Sequence, residues 1–148
     1  MEFVRHRKFS FLQESTRYCR YSAGKFNSEL TFIIPCWMNL EEGSYNNGKY
    51  YNSIATPYLV KGTAEETFLL KLVGDELDYF KLLEKGWKPE QARAILPNAL
   101  KTELYMCGFA EDWINFFSLR NDKQHAHPQA YELAHPLYEE FIYRNYIK

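Results

Sequence analysis

The segment from residue 63 to residue 86 constrains the fold most strongly, because its apolar residues recur at helical spacing. They are Phe68, Leu69, Leu72, Val73, Phe80 and Leu83. A helical period places such positions on one face of an α-helix, and that face has to pack against another part of the chain. Thr63 followed by Glu66 matches the capping box of a helix start, and the helical spacing continues up to Gly86. We therefore predict one long amphipathic helix whose charged face lies in solvent.

The rest of the C-terminal half predicts further helices. Pro89 suits the first position of a helix, because the missing N–H of proline costs nothing there. Another helix is predicted from about Asn98 to Gly108, a glycine that suits its C-cap, and a third from Ala110 to Leu119, closed by Arg120. The last helix should begin at Pro128. Its predicted buried positions are Ala130, Leu133, Ala134, Leu137 and Phe141.

The N-terminal half predicts β-strands. Residues 3–11 are read as extended, and residues 28–35 combine β-favouring side chains with Pro35 as a stop. Residues 36–62 have an irregular pattern, and no role follows from them. Short strands early and helices late place the chain in the α+β class. By the usual size of domains, residues 1–148 form a single domain.

The charge balance excludes one class of function. With 18 Lys and Arg against 19 Asp and Glu, the net charge is −1. The chain therefore lacks the broad positive field that attracts DNA or RNA. Because no apolar run approaches the length of a membrane span or a leader, we expect a cytoplasmic protein without a membrane partner. The three cysteines show no zinc-ligand spacing, so we expect reduced thiols and no metal site.

Cations are instead concentrated near the start of the chain, at Arg5 and Arg7. In an extended conformation these two side chains share one face with Phe9 and lie roughly 6–7 Å apart. An anion between them would relieve their repulsion in this partly apolar setting. The next segment, from Gln13 to Arg17, offers hydroxyls, backbone donors and a guanidinium, which together suit a phosphate. The alternative is a solvated strand edge without a ligand, which is the commoner case for such residues.

Three separated motifs resemble the signature of one family. They are Arg5–Arg7 followed after seven residues by Ser15, Thr16, Arg17 and Tyr18, then Ala92–Pro97, then Asn115–Arg120 with Ala126–Gln129 behind it. In type and order these motifs are similar to those of the flavin-dependent thymidylate synthases, the ThyX family. The resemblance covers nearly the whole chain.

The resemblance implies an enzyme that converts deoxyuridylate (dUMP) to dTMP. In this family methylenetetrahydrofolate donates the carbon, reduced FAD donates the hydride, and NADPH is a co-substrate. No cysteine nucleophile is needed, so none of the cysteines receives a catalytic role. Arg120 is implied as the catalytic residue, because a fixed guanidinium at the uracil edge stabilises charge that develops as the ring reacts. The alternative for Arg120 is a helix-terminal cation that offsets the helix macrodipole.

The same resemblance implies the binding residues. Those for dUMP are Arg5, Gln13, Glu14, Ser15, Thr16, Arg17, Arg93 and Arg120. Those for FAD are Arg5, His6, Arg7, Gln13 and Asn115. For Arg93 the alternative is an ion pair with a nearby glutamate such as Glu90. Phe109 and Glu111 depart from the family's pattern, which often has Asn and Arg at these two positions.

Members of the family are homotetramers whose active sites are shared between subunits, and the resemblance implies the same assembly for this chain. The family also has a sizeable portion before the first motif, so we expect the chain to be an N-terminally truncated form. An alternative function is therefore a non-catalytic nucleotide-binding or assembly fragment. A nucleic-acid-binding module built on Arg5–Arg7 is a third reading, and the near-zero net charge argues against it.

Overall fold

The computed structural model describes residues 2–15, 30–43 and 62–148. The chain divides into two compact units, Met1–Glu14 with Glu103–Lys148, and Ser15–Thr102. In chain order the elements are β1 (Ser10–Gln13), α1 (Ala64–Glu84), α2 (Pro89–Ala92), β2 (Leu104–Cys107), α3 (Ala110–Arg120) and α4 (Pro128–Tyr143). This combination of a short sheet and several helices confirms the predicted α+β class. None of the described helices is long and apolar enough to span a lipid bilayer.

The first unit contains a two-stranded antiparallel sheet. β1 pairs with β2 in a register that places Ser10 opposite Cys107 and Gln13 opposite Leu104. A 2.9 Å hydrogen bond from the backbone N–H of Glu14 to the carbonyl oxygen of Glu103 extends the pairing. Because of this sheet, Arg5–Arg7 belong to the same unit as α3 and α4.

The core of the first unit is aromatic. Its buried members are Phe9, Trp113, Phe116, Phe117, Ala134 and Ile147. Trp113, Phe116 and Phe117 follow one another at helical spacing on α3, so that one face of this helix carries three large rings. The ring of Phe9 meets that of Trp113 edge to face, with centroids 4.8 Å apart. Edge-to-face contacts of this kind stabilise a core beyond the area that they bury.

Helix α4 covers this core and begins as predicted. Pro128 occupies its first turn, and His127 precedes it in a non-helical conformation. The small side chains of Ala130 and Ala134 are buried, whereas Leu133 is 61% exposed. The prediction that Leu133 faces the core is therefore wrong. Alanine suits this interface better, because a short side chain lets the helix approach the large rings of α3 closely.

The second unit is built around α1, whose predicted start is confirmed. The hydroxyl of Thr63 accepts the N–H of Glu66 at 3.2 Å, and the Glu66 carboxylate accepts the N–H of Gly62 at 2.5 Å. The first bond satisfies one of the N–H groups that a helix start leaves without helical partners, and the second holds the residue before the cap against the first turn. Beyond the helix, Gly86 has a φ of 88°, a left-handed conformation that glycine adopts without strain.

The core of the second unit packs α1 against two other segments. Its buried members are Leu30, Tyr79 and Ala92, and Phe32, Phe80, Leu82, Leu83, Leu96 and Leu100 pack around them. Pro89 occupies the predicted first position of α2, which a 3₁₀ turn at Arg93–Ile95 follows. The backbone N–H of Leu30 donates to the carboxylate of Glu76 at 2.7 Å, which ties the loop before Phe32 to α1.

Two predictions of secondary structure are wrong in the C-terminal half and near the start. The predicted helix over residues 98–108 contains strand β2 instead, because residues 104–107 alternate between half-buried and exposed and pair with β1. Gly108 does not cap a helix. A Cβ atom at Gly108 would lie 2.6 Å from the ring of Phe9, so the absence of a side chain lets this ring reach the core.

The predicted extended run over residues 3–11 is replaced by a 3₁₀ turn at Phe3–Arg5 and a strand that begins only at Ser10. The backbone folds back because the N–H of His6 donates to the carbonyl of Phe3 at 3.0 Å. Arg5 and Arg7 therefore do not share a strand face. Of the strand predicted at residues 28–35, residues 30–35 are described, and they contain one isolated bridge, Phe32 to Leu100.

Candidate functional site

The first and third sequence motifs meet in the first unit. Although 114 positions separate them in the chain, Arg120 donates its Nε–H to Nε2 of His6 at 3.1 Å. Arg120 is the last residue of α3, and His6 follows the 3₁₀ turn near the start of the chain. The end of α3 and the turn near the start of the chain thus bring the guanidinium and the imidazole into contact.

The Arg120 guanidinium has further contacts with a carboxylate. Its Nη1 lies 2.5 Å from Oε2 of Glu2, and its Nη2 donates to the backbone oxygen of Glu2 at 3.2 Å. The Arg120 side chain is 13% exposed and that of Glu2 is 39% exposed. A cation this poorly solvated needs an anionic or polar partner, and Glu2 supplies one in this structure.

The His6 ring is buried among aromatic side chains. Its centroid lies 4.9 Å from that of Phe116 and 6.2 Å from that of Phe9. Burial lowers the pKa of His6 below its usual 6.5, and the charges of Arg120 and Arg5 lower this pKa further, against the opposing effect of Glu2. A ring nitrogen that accepts a hydrogen bond carries no proton. His6 is therefore neutral and protonated on Nδ1.

The loop after Arg120 is fixed by its own hydrogen bonds. The carboxylate of Asp122 accepts the backbone N–H of Gln124 at 2.9 Å and contacts the ring of His125 at 2.7 Å. The hydrogen bonds from His125 and Gln124 hold the pKa of the exposed Asp122 carboxyl below its ordinary value. Farther on, Nδ1 of His135 on α4 contacts the side-chain oxygen of Asn121 at 2.9 Å. These contacts tie the end of α3 to α4.

Glu2 also lines a cavity. Its volume is about 330 Å³, and its lining residues are Glu2, Phe3, His127, Gln129, Ala130 and Leu133. This volume is at the lower end of the range of roughly 300–1,000 Å³ that is typical of small-molecule sites. Glu2 thus both lines this cavity and pairs with Arg120, whereas Arg120 and His6 are not among its lining residues.

The other candidate residues of the first unit lie at its surface. Arg5 and Arg7 are exposed, and the nearest carboxylate oxygen to Arg5 is that of Glu2 at 4.0 Å. Asn115 is exposed on α3, while Gln13 ends β1 with its side chain exposed. Glu14 follows it and is half-buried. Cations and amides are thus present within one unit, where they are accessible to an anionic ligand.

The remaining candidates belong to the second unit or lie outside the described residues. Ser15 and Arg93 are both exposed and belong to the second unit. Thr16 and Arg17 lie in the range 16–29, which is outside the described residues. Among the described residues, no group of three or more His, Cys, Asp and Glu is placed to hold a metal ion.

Sequence reasoning missed Glu2. Its contact with Arg120 joins residues that are 118 positions apart in the chain, so no local pattern predicts it. The available signal is an acidic residue three positions before Arg5 in an otherwise cationic segment. A carboxylate in such a place is a candidate counter-ion for any cation that the fold brings close.

Comparisons with known proteins agree with the motifs. The family model described as thymidylate synthase complementing protein matches residues 1–143. The flavin-dependent thymidylate synthase of Sulfolobus acidocaldarius is 32% identical over 118 residues, which are 66% of this chain and 45% of that protein. A probable flavin-dependent thymidylate synthase of Paramecium bursaria Chlorella virus 1 is 31% identical over 144 residues, which are 95% of this chain and 60% of that protein.

A solved structure shows the same fold. Thymidylate synthase X of Helicobacter pylori, crystallised with FAD and dUMP, superposes with a TM-score of 0.59 at 24% identity. The match covers 93% of this chain and 59% of that one. The chain thus spans about half the length of the curated relatives that it matches, 45% of one and 60% of another.

Proposed function

The chain belongs to the thymidylate synthase complementing protein family, whose curated relatives are named flavin-dependent thymidylate synthases, and from this premise we propose that it converts dUMP to dTMP. In this proposal methylenetetrahydrofolate donates the carbon and NADPH is the reductant. FAD, when bound, supplies the hydride. We further propose that the protein acts in the cytoplasm.

One observation carries the proposal. The poorly solvated guanidinium of Arg120 is in direct contact with the Arg5–Arg7 motif through His6, and its ion-pair partner Glu2 lines a cavity of about 330 Å³. Two motifs that define the resemblance therefore contribute to one place in the fold. A helix-terminal arginine that merely offset the macrodipole would be solvated, whereas this side chain is 13% exposed.

In the proposed reaction Arg120 contacts the edge of the uracil ring. The ring carbon that receives the one-carbon unit is a poor nucleophile until negative charge develops on the ring. A fixed guanidinium at that edge stabilises the developing charge without reorganising during the reaction. Glu2 then acts as a resident counter-ion, and the incoming ring edge replaces its carboxylate on the guanidinium.

The described residues fit a flavin in part. The exposed guanidinium groups of Arg5 and Arg7 suit a pyrophosphate, and the exposed amide of Asn115 offers both a donor and an acceptor. In the proposal these three side chains hold FAD together with Gln13, and His6 contributes to the same motif. Glu111, in the first turn of α3, would repel a pyrophosphate, so we assign it no contact.

The phosphate of dUMP is assigned to the loop that follows β1. In the proposal Gln13, Glu14, Ser15, Thr16 and Arg17 bind the nucleotide, together with Arg5 and Arg93. A serine hydroxyl and a guanidinium fork are suited to phosphate oxygens, which accept several hydrogen bonds at once. The exposed positions of Ser15 and Arg93 are compatible with this role.

We also propose a homotetramer whose sites are shared between subunits. The outer face of the two-stranded sheet supports a subunit contact, because Leu12 and Tyr105 lie opposite each other and are 70% and 67% exposed. Phe109, which precedes α3, is 83% exposed. Large exposed apolar side chains such as these are typical of interfaces between proteins. Analytical ultracentrifugation measures the assembly directly.

The experiment that tests the function compares wild-type protein with Arg120→Lys. Purified protein is supplied with FAD, and dUMP binding is followed by the change in flavin absorbance. Formation of dTMP is measured after addition of methylenetetrahydrofolate and NADPH. We expect Arg120→Lys to keep dUMP binding and lose most turnover, by about 10²–10³-fold, because a point charge does not reproduce the guanidinium fork at the ring edge.

Arg144→Lys is the matched control, because Arg144 is exposed and pairs with Glu140 on the surface of α4. This control should retain wild-type turnover. If Arg120→Lys also retains it, Arg120 has no catalytic role. Binding of dUMP by the wild type without any turnover would favour the alternative, a non-catalytic nucleotide-binding fragment.

A further inference from the structure

The contacts of Arg120 differ in how readily they can be exchanged. Glu2 is 39% exposed in its side chain and borders the cavity, so its carboxylate can move into solvent. His6 is 7% exposed and has no such freedom. Of these two contacts, the one with Glu2 is therefore the one that can be exchanged without moving a buried group.

His6 is fixed both by its backbone hydrogen bonds and by the packing of its ring. Its backbone N–H donates to Phe3 at 3.0 Å, and its carbonyl accepts the N–H of Phe9 at 3.1 Å. The ring itself packs against Phe116, which is 2% exposed. Because both backbone and ring are fixed, Nε2 of His6 is a fixed acceptor for the Nε–H of Arg120.

We infer that His6 is a positioning residue, which orients the Arg120 guanidinium by accepting its Nε–H and leaves the two terminal nitrogens to face the ligand. The inference rests on the proposed function of Arg120, and it assigns the orientation of the guanidinium to Nε2 of His6. His6 acts through Arg120, and its ring does not need to touch the nucleotide.

This role requires a neutral imidazole. Protonation of His6 would remove the acceptor and place a third positive charge beside Arg120 and Arg5, with Glu2 as the carboxylate that acts on the same ring. The aromatic side chains that pack against the His6 ring, Phe9 and Phe116, carry no charge. The pKa of His6 lies below 6.5, so the contact is intact above pH 6.5 and is lost as the pH falls through this lowered pKa.

The first test uses the wild-type chain without any ligand. Nitrogen-15 NMR should show Nδ1 of His6 protonated and Nε2 unprotonated near neutral pH. Hydrogen exchange of the Arg120 Nε–H, assigned by its absence in Arg120→Lys, should be at least about tenfold slower than that of the exposed Arg5, because a hydrogen-bonded donor exchanges only when it opens. A proton on Nε2 of His6 would overturn the inference.

The second test compares two substitutions. His6→Phe keeps the ring packing against Phe116 and removes the acceptor, so Arg120 Nε–H exchange should accelerate about tenfold, as expected for the loss of one hydrogen bond to a charged group. His6→Gln supplies an amide oxygen and should restore much of the protection. Equal exchange rates in wild type and His6→Phe would contradict the inference. If His6→Phe does not fold, the exchange rate in His6→Gln and the protonated nitrogen of His6 in the wild type test the inference instead.

The third test is kinetic. His6→Phe should lower kcat by about tenfold or more while changing the KM for dUMP less, because it loosens a group that acts in the transition state. His6→Gln should recover much of kcat. In the wild type kcat should fall as the pH drops below 6.5, and this fall should be absent in His6→Gln, because glutamine does not titrate. If the wild type shows slow, His6-dependent exchange but binds no dUMP, the positioning contact stands and the proposed substrate is wrong. If dUMP binds but exchange does not depend on His6, the proposed function stands and this inference fails.

Discussion

The two units of the chain use their cores differently. In the first unit an aromatic core is in direct contact with the candidate site, since Phe116 packs against His6, which holds Arg120. In the second unit α1 packs on Leu30 and Ala92. Ser15 and Arg93, the candidate residues of that unit that the structure describes, are exposed.

This difference shows how stability and function are related in each unit. A change in the first core should move His6 and hence Arg120, because densely packed interiors transmit displacement. A change of similar size in the second core should lower stability and leave the His6–Arg120 contact unchanged. Substitutions of similar cost at buried positions of the two units therefore test this difference.

The largest expected effect is that of Phe116→Ala. Removing this nearly fully buried ring should cost about 3–5 kcal/mol in the free energy of unfolding, the usual range for phenylalanine truncated in a core. Urea unfolding measures the loss, and hydrogen exchange of the Arg120 Nε–H reports on the site in the folded fraction. We expect both to change, because the His6 ring loses its packing partner.

Leu72→Ala in α1 is the matched control. Leu72 is 5% exposed in the second unit, and its truncation should cost about 2–5 kcal/mol. Exchange of the Arg120 Nε–H should stay at the wild-type rate below the onset of global unfolding. If Leu72→Ala disturbs this exchange as much as Phe116→Ala does, the site does not depend on the first core in particular.

A smaller effect is expected from a pair of glycine substitutions. Gly108→Ala should destabilise the protein by about 1–3 kcal/mol, because the new methyl group would overpack against the buried ring of Phe9. Gly74→Ala in α1 has open space around the new atom and should stabilise by about 0.5–1 kcal/mol, since alanine favours a helix interior. Thermal unfolding should thus give shifts of opposite sign. Shifts of the same sign would contradict the packing described around Phe9.

The smallest effect concerns the start of α1. Thr63→Ala removes the hydroxyl that accepts the N–H of Glu66, and it should cost about 0.5–2 kcal/mol. The exposed Thr102 lies outside the helices and strands, so Thr102→Ala serves as the control and should be nearly neutral. Urea unfolding compares the two. A loss in Thr102→Ala equal to that in Thr63→Ala would exclude the cap as the cause.

The sequence predicted elements whose signals are local. The apolar spacing and the Thr63 cap of α1, the rings of α3, and Pro128 at the start of α4 lie within a few residues of the structures that they indicate. Strand β2 was missed because it is stabilised by pairing with β1, which lies far away in the chain. Its four residues show too short an alternation of apolar and polar side chains to distinguish a strand from a helix.

The candidate site shows the same limit. The motif residues Arg5, His6, Arg7, Asn115 and Arg120 all fall in the first unit, and their order along the chain gave the family. The geometry among them was not predictable, because it depends on the 3₁₀ turn that buries His6 and on the ion pair with Glu2. Only the packed chain shows which nitrogen of Arg120 each partner occupies.

A crystal structure of the protein with FAD and dUMP tests the central claim most directly. We expect the guanidinium of Arg120 to contact the uracil edge through its terminal nitrogens, to retain the bond from Nε to His6, and to have released the Glu2 carboxylate. A nucleotide bound elsewhere, with Arg120 still paired to Glu2, would contradict both the proposed function and the role of His6.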